Sequence, residues 1–384
     1  MGTDSADIVG QADRAAARGA FADARRLLGS AIEAGPDDVD LWLRLAAMCR
    51  ATGDGKAALA AVEGALAVAP LHFVAMLMRA NLLEKAGAPG VGEAYGRALA
   101  QRPAGALSTM LETMVQHAGE VYRVHQGEAD RRLAAAAQGI ALTSDERARL
   151  DRFRTNMVRI TQPWHSEPTH YAYPGLTERE FHERSRFPWL QELEAAVDGI
   201  ADEFQRVAAA EHAQLVPYVQ YERGVPLRQW EALNQSRDWT AIHLLRNGER
   251  IEANARHCPE TMALLGRIPQ PFVPRRGPNA MFSLLAPGVS IPPHNGVANT
   301  RLVCHLPLIV PEGCWFRVGS ETRPWRRGEA FVFDDTIEHE AANPSPDLRV
   351  VFICDIWHPD LSDAERDAVA MMMDAGDGAI DGGL

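Results

Sequence analysis

Apolar and polar positions change period near residue 160, and the two halves of the chain predict different architectures. Before that point apolar residues recur at helical spacing, as in Leu107, Met110, Leu111 and Met114, a stripe that lies on one helix face and reads as core. After it, short β-branched and aromatic runs dominate: Trp239 to Leu245, Met281 to Ala286, Arg301 to Val310, Ala330 to Asp334 and Arg349 to Ile353. Runs of this length bounded by turn residues read as strands. Pro287-Gly288 marks one turn, and Asn247-Gly248 is a hairpin signal. Helical stripes interrupt the strands over Leu190 to Ala209, where Leu193, Ala196, Val197 and Ile200 share a face, and over Asn254 to Leu265. These patterns predict an α+β multidomain chain, helical first and sheet-rich second.

The helical half repeats itself. Gly19, Gly53 and Gly87 recur every 34 residues, Pro36 and Pro70 keep the same period, and Pro103 falls one residue short of it. Ala24 matches Ala58, Ala31 matches Ala65, and Ala98 follows after a one-residue deletion. Trp42, Leu45 and Ala46 fall where a first helix packs its large and small residues, and Val62 where a second helix meets it. The register resembles the tetratricopeptide repeat, a helix-turn-helix unit in which small residues allow close helix approach. An Ala-rich hairpin mimics part of this pattern but not several positions at one period. The repeats are expected over residues 4–103 and a helical capping segment over 104–155, in which Ala134 to Ala141 is rich in helix formers and Asp145 to Arg154 is a solvated face. Such a surface implies a protein partner, or docking within the chain or onto a second copy.

Candidate chemistry lies in the second half. His294 follows Pro292-Pro293, His339 follows Ile337-Glu338, and Arg349 comes ten residues later at the head of a strand run. Two histidines held by an antiparallel sheet, then an arginine about one strand on, is the layout of a non-haem iron, 2-oxoglutarate-dependent oxygenase. Imidazole suits Fe(II), O2 needs open coordination positions, and the far carboxylate of 2-oxoglutarate fits an arginine fork. The usual facial triad has a carboxylate two residues after its first histidine, whereas here Gly296 stands there. Either water fills that position, or a halide does, or the site holds no iron; Asp334 and Asp335 are weaker candidate ligands. His339-Glu340 opens like a zinc protease motif, but Asn343 replaces its second histidine.

With those residues set out, His294-Asn-Gly-Val-Ala-Asn-Thr-Arg301, His305-Leu, Gly328 through His339-Glu340, and Asp355-Ile-Trp-His-Pro359 resemble the aspartyl/asparaginyl β-hydroxylase family. The resemblance covers residues 160–365 and implies a double-stranded β-helix, or jelly roll, with the metal at its mouth. It implies that His294 and His339 hold Fe(II) with water completing the shell, since that family also has glycine at the position of Gly296. It further implies that Arg349 anchors 2-oxoglutarate, with Ser283, His305 and Trp239 around the co-substrate, and that Arg301 faces the substrate and favours an acidic group. Val303 stands where vertebrate members carry a second arginine, so contacts made there do not carry over. The implied activity is O2-dependent hydroxylation of a carbon in an Asp or Asn side chain, peptide-borne or free, with release of succinate and CO2. A repeat-containing binding module without turnover and an iron halogenase are the alternatives.

Composition narrows the partners. A formal charge of −12 over 384 residues argues against nucleic acid or an anionic membrane, and Arg275-Arg276 and Arg326-Arg327 read as solvated turn residues. Five cysteines without metal-type spacing fit buried thiols in a reducing compartment. No apolar run reaches the ~18 residues of a membrane span, and the first residues lack a secretory pattern, so a cytoplasmic protein is expected. His165, His170 and His358 read as non-ligating, Asp355 as supporting a turn or contacting the site indirectly, and residues 374–384 as a disordered tail.

Overall fold

The computed structural model describes residues 2–35, 37–211, 213–222 and 227–376, and the chain divides into two units, Met1–Thr161 and Gln162–Leu384. The first unit contains helices α1 (Gly2–Ala17), α2 (Phe21–Ala34), α3 (Val39–Ala51), α4 (Gly55–Val68), α5 (Phe73–Lys85), α6 (Val91–Leu99), α7 (Thr109–Ala136) and α8 (Ser144–Met157). The 34-residue period has a backbone cause. Gly19, Gly53 and Gly87 follow α1, α3 and α5 with φ of 77°, 76° and 63°, the left-handed conformation that ends a helix and that glycine adopts without a Cβ penalty. Asp38 and Asp54 then cap α3 and α4 through their carboxylates.

The matched small residues Ala24, Ala31, Ala58, Ala65 and Ala98 are all fully buried, as the repeat register requires. Pro36 lies outside the described residues. The capping segment is helical: α7 buries Val115 and Ala118 against the core formed with Phe73, Leu77 and Tyr95. Met110, expected in that core, is 71% exposed, whereas Leu107, Leu111 and Met114 of the same stripe pack against it. Helix α8 has no buried residue.

In the second unit the helix expected over Leu190 to Ala209 is broken at Ala196 into α9 (Leu190–Ala195) and α10 (Val197–Ala208). The strands are β1 (Leu215–Pro217), β2 (Trp239–Arg246), β3 (Glu249–Arg250), β4 (Ala280–Leu285), β5 (Val289–His294), β6 (Arg301–Ile309), β7 (Trp315–Val318), β8 (Glu321–Pro324), β9 (Phe331–Phe333), β10 (His339–Asn343) and β11 (Arg349–Trp357). The helix expected over Asn254 to Leu265 is likewise two, α11 (Glu252–Ala255) and α12 (Pro259–Leu265). Pro259 has no N–H to continue the first and starts the second. Asn247 and Gly248 form the β2–β3 turn with φ of 52° and 83°. Helix α13 (Asp363–Ala375) carries regular structure into the expected tail, so residues 374 and 375 are helical, and residues 377–384 lie outside the described residues.

Two antiparallel sheets result. The larger runs β1-β2-β4-β11-β6-β9 with β3 beside β2, and the smaller runs β5-β10-β7-β8. Period-two alternation sorts the larger sheet's side chains. Ile242, Phe282, Leu302, Cys304, Phe352 and Cys354 form one core with Leu190, Leu193, Ile200 and Phe204 of α9 and α10. Ala241, Met281, Val303, Val351 and Ile353 turn the other way and meet Ile291, Phe316, Val318 and Ala341 of the smaller sheet. All five cysteines are free and buried.

Candidate active site

The same alternation places the candidate site residues. Trp239 on β2, Ser283 on β4, Arg301 and His305 on β6 and Arg349 on β11 share the parity of the residues that face the smaller sheet. His294 ends β5 and His339 begins β10, and the two are cross-strand partners. Together they line one cavity of about 650 Å³, within the range of a small-molecule site.

The two imidazole rings of His294 and His339 lie with centroids 4.0 Å apart at 52° to one another. Each ring's Nδ1 is tied to the carbonyl two residues before it, Pro292 at 2.8 Å and Ile337 at 3.1 Å. A carbonyl accepts only, so Nδ1 carries the proton and Nε2 keeps its lone pair. Burial drives the pKa of His294 down to about 3 and that of His339 down to about 4, the second ring adding to the effect on the first. Both are therefore neutral at physiological pH, the form that binds a metal. Among the described residues no group of three or more His, Cys, Asp or Glu could hold a metal.

Arg349 is 1% exposed and has no carboxylate partner among the described residues. Its Nη1 reaches Ser283 O and Oγ at 3.4 Å each, its guanidinium lies 4.7 Å over the Trp325 ring, and Nε and Nη2 have no hydrogen-bond partner among the described residues. Burial lowers its pKa to about 10. An unpaired buried cation of this kind is costly. The Trp239 indole N–H donates to Ser283 Oγ at 3.0 Å, which fixes the hydroxyl beside Arg349. His305 packs among Phe316, Phe331 and Phe333, its Nδ1 without a hydrogen-bond partner among the described residues, and burial, then Arg349 and His339, hold it well below the usual imidazole range.

Arg301 also lines the cavity, but its charge is already engaged: it pairs with Asp335 at 3.0 Å and Asp355 at 3.5 Å, all three being buried. Its Nε and Nη1 have no hydrogen-bond partner among the described residues, so the guanidinium keeps donors while its charge is balanced by the two acids. Asp335 does not stand apart from the histidine loop either. Gly296 N donates to Asp335 O at 2.6 Å, and the carboxylate fills the space over Gly296. Asp334 accepts from the Thr336 N–H and hydroxyl; burial outweighs those donors and pushes its carboxyl up to about 7. Arg276, expected in solvent, is buried and donates from Nε to Met373 O at 3.1 Å. His165 and His170 are exposed and outside the site, and His358 is buried against Thr177 and Asp360.

Residues 194–359 match the family model of aspartyl/asparaginyl beta-hydroxylase. Residues 15–82 match a tetratricopeptide repeat. Over 124 residues the chain is 39% identical to the human aspartyl/asparaginyl beta-hydroxylase, a match covering 32% of this chain and 16% of that protein. It is 39% identical over 132 residues to the human aspartate beta-hydroxylase domain-containing protein 2, covering 33% and 35%. The chain thus spans well under two thirds of these relatives. A tetratricopeptide domain of Sgt2 from Aspergillus fumigatus aligns over 38% of this chain and 90% of that chain at 19% identity, with a TM-score of 0.28 that is too low to bear on the fold.

Within this aspartyl/asparaginyl beta-hydroxylase-like region, several lining residues carried no signal in the sequence. Trp325 under Arg349, Tyr218 stacked on Trp239 at 3.8 Å, and Trp230 at 4.9 Å from His294 read in isolation as ordinary core aromatics. Nothing in their spacing ties them to the histidines, because all three lie outside the strands and reach the site through tertiary packing.

Proposed function

We propose that this chain is an Fe(II)- and 2-oxoglutarate-dependent hydroxylase whose metal is held by His294 and His339 in a double-stranded β-helix. The observation that carries the reading is Arg349, a buried guanidinium without an acid, in the same cavity as two neutral imidazoles whose Nε2 lone pairs remain. A diacid that chelates a metal through one end and ends in a carboxylate at the other complements both features. The residues fit the metal through two nitrogen donors, and imidazole is a ligand type suited to iron.

When bound, Fe(II) with 2-oxoglutarate and O2 supplies hydroxylation of an unactivated carbon with release of succinate and CO2. The chain's own residues bind and position. Arg349 takes the distal carboxylate, Ser283 adds a hydroxyl donor held by Trp239, and His305 and Trp325 close the pocket against water. The family match supports a substrate carbon next to the carboxylate or amide of an Asp or Asn residue or a related small molecule. The tetratricopeptide match supports a protein partner on the helical repeats. No helix of the described residues is long and apolar enough to cross a membrane.

Purified protein with Fe(II) and ascorbate is expected to convert 2-oxoglutarate to succinate, and His294→Ala and His339→Ala to abolish it. Conversion that survives both substitutions, or its absence from the unsubstituted protein under every substrate tried, would leave a binding module in place of an enzyme.

A further inference from the structure

Strand β2 carries a register shift against β4 between His243 and Leu245. Before the shift Trp239, Ala241 and His243 face the cavity side, while Ile242 and Leu244 enter the helix-covered core. Leu245 joins that same core, so two successive residues point one way and the alternation restarts out of phase. A bulge re-aims the side chains beyond it. Arg246, which unbroken alternation would send toward the helices, lines the cavity instead.

The charge lining the cavity shows what Arg246 is free to do. Asp335 and Asp355 are taken by Arg301, and Glu340 by Arg317. Arg275 pairs with Asp374, and Arg276 binds a carbonyl at the C-terminal end of α13, where the helix dipole is negative. Arg246 is exposed and makes no hydrogen bond or ion pair among the described residues, its cross-strand neighbour Glu249 included. Its backbone is fastened nonetheless. Asn247 N donates to Asn279 Oδ1 at 2.9 Å, and Asn279 donates from N and Nδ2 to Asp355 Oδ2 at 2.8 Å and 2.9 Å. The end of the hairpin is thereby tied to the carboxylate that pairs with Arg301.

Trp239, at the other end of the strand, has its ring centroid 6.4 Å from that of His294. Seven positions on, with one absorbed by the bulge, the Arg246 backbone stands roughly 20 Å along the strand from that of Trp239. We propose that Arg246 is a specificity residue that holds a carboxylate on an elongated substrate, remote from the carbon that reacts. The position of the reacting end rests on the hydroxylase reading above; the anion subsite does not. A free amino acid is too short to occupy both ends.

The test is binding to the full chain, followed by the fluorescence of the tryptophans that line the cavity. The probes are capped peptides with an N-terminal Asp and a C-terminal Glu separated by one to six alanines, and their Gln counterparts. Glu is expected to bind roughly fivefold or more tighter than Gln, best at an intermediate spacer. Arg246→Gln should erase the preference, and Arg246→Glu should turn it toward Lys in place of Glu, with 2-oxoglutarate affinity unchanged in both. Equal binding of Glu and Gln peptides at every spacer, or a preference that survives Arg246→Gln, overturns the proposal. If instead Arg349→Ala leaves 2-oxoglutarate binding intact while the Arg246-dependent preference persists, the co-substrate assignment fails and the subsite stands.

Discussion

The Asp335 carboxylate occupies the space that a side chain at Gly296 would need: a Cβ there would lie 2.2 Å from Asp335 Oδ2 and 2.3 Å from its Cγ. The position that carries the acidic ligand in a facial triad therefore cannot carry one here without moving a residue that is paired with Arg301. Gly296→Ala and Gly296→Asp are expected to displace Asp335 and break a buried ion pair, at a cost of roughly 3 to 5 kcal/mol. Urea unfolding checks this, and a Gly296→Asp protein as stable as the original would remove the steric account.

Arg301→Ala leaves Asp335 and Asp355 buried without their counter-ion. The expected result is a similar loss of about 3 to 5 kcal/mol in stability, seen without any substrate. A variant of unaltered stability that loses only substrate affinity would restore Arg301 as a free substrate reader.

Arg349 gives the opposite sign. Because it is buried without an acid, Arg349→Met removes a cost instead of a pair, and the ligand-free protein should lose little stability or gain some. The unsubstituted protein should be stabilised by 2-oxoglutarate, by about 2.7 kcal/mol at a hundred times its Kd, and Arg349→Met should show no such gain. Thermal shifts with and without 2-oxoglutarate decide it; equal stabilisation of both proteins refutes the anchor.

His182 and His358 give a pH prediction away from the site. Their rings meet edge to face at 5.3 Å, and neither nitrogen of His182 has a hydrogen-bond partner among the described residues. Burial lowers the pKa of His182 to about 3, with His358, Arg186 and Arg179 adding to the shift and Asp360 opposing it. A depressed imidazole leaves the unfolded chain binding the extra proton, so its contribution is intact above pH 6.5 and is lost as pH falls toward 3. At pH 5.5 the loss is about 1.4 kcal/mol for this one group. Unfolding midpoints at pH 7.5 and 5.5 should fall further in the original protein than in His182→Phe, and parallel falls would count against it.

Much of this architecture is written in local periods. The 34-residue spacing of Gly19, Gly53 and Gly87 sets where helices must turn, because a left-handed residue is a backbone requirement independent of neighbours. Alternation along each strand likewise determines that Ser283, His305 and Arg349 face away from the helix-covered core. The family resemblance of the stretch around His294 and His339 could be read from the residues alone.

Tertiary structure decided what those faces meet. The pairing of β5 with β10 brings His294 to His339 across 45 positions of sequence, and the stacking of the two sheets puts Trp325 beneath Arg349. Neither contact has a local period to announce it. The partners of Arg301 were decided in the same way: the guanidinium is charged wherever it sits, and Asp335 and Asp355 arrive from other elements to pair with it. Arg246 owes its direction to a single inserted residue in β2, a register defect fixed by pairing with β4 that no count of apolar positions records.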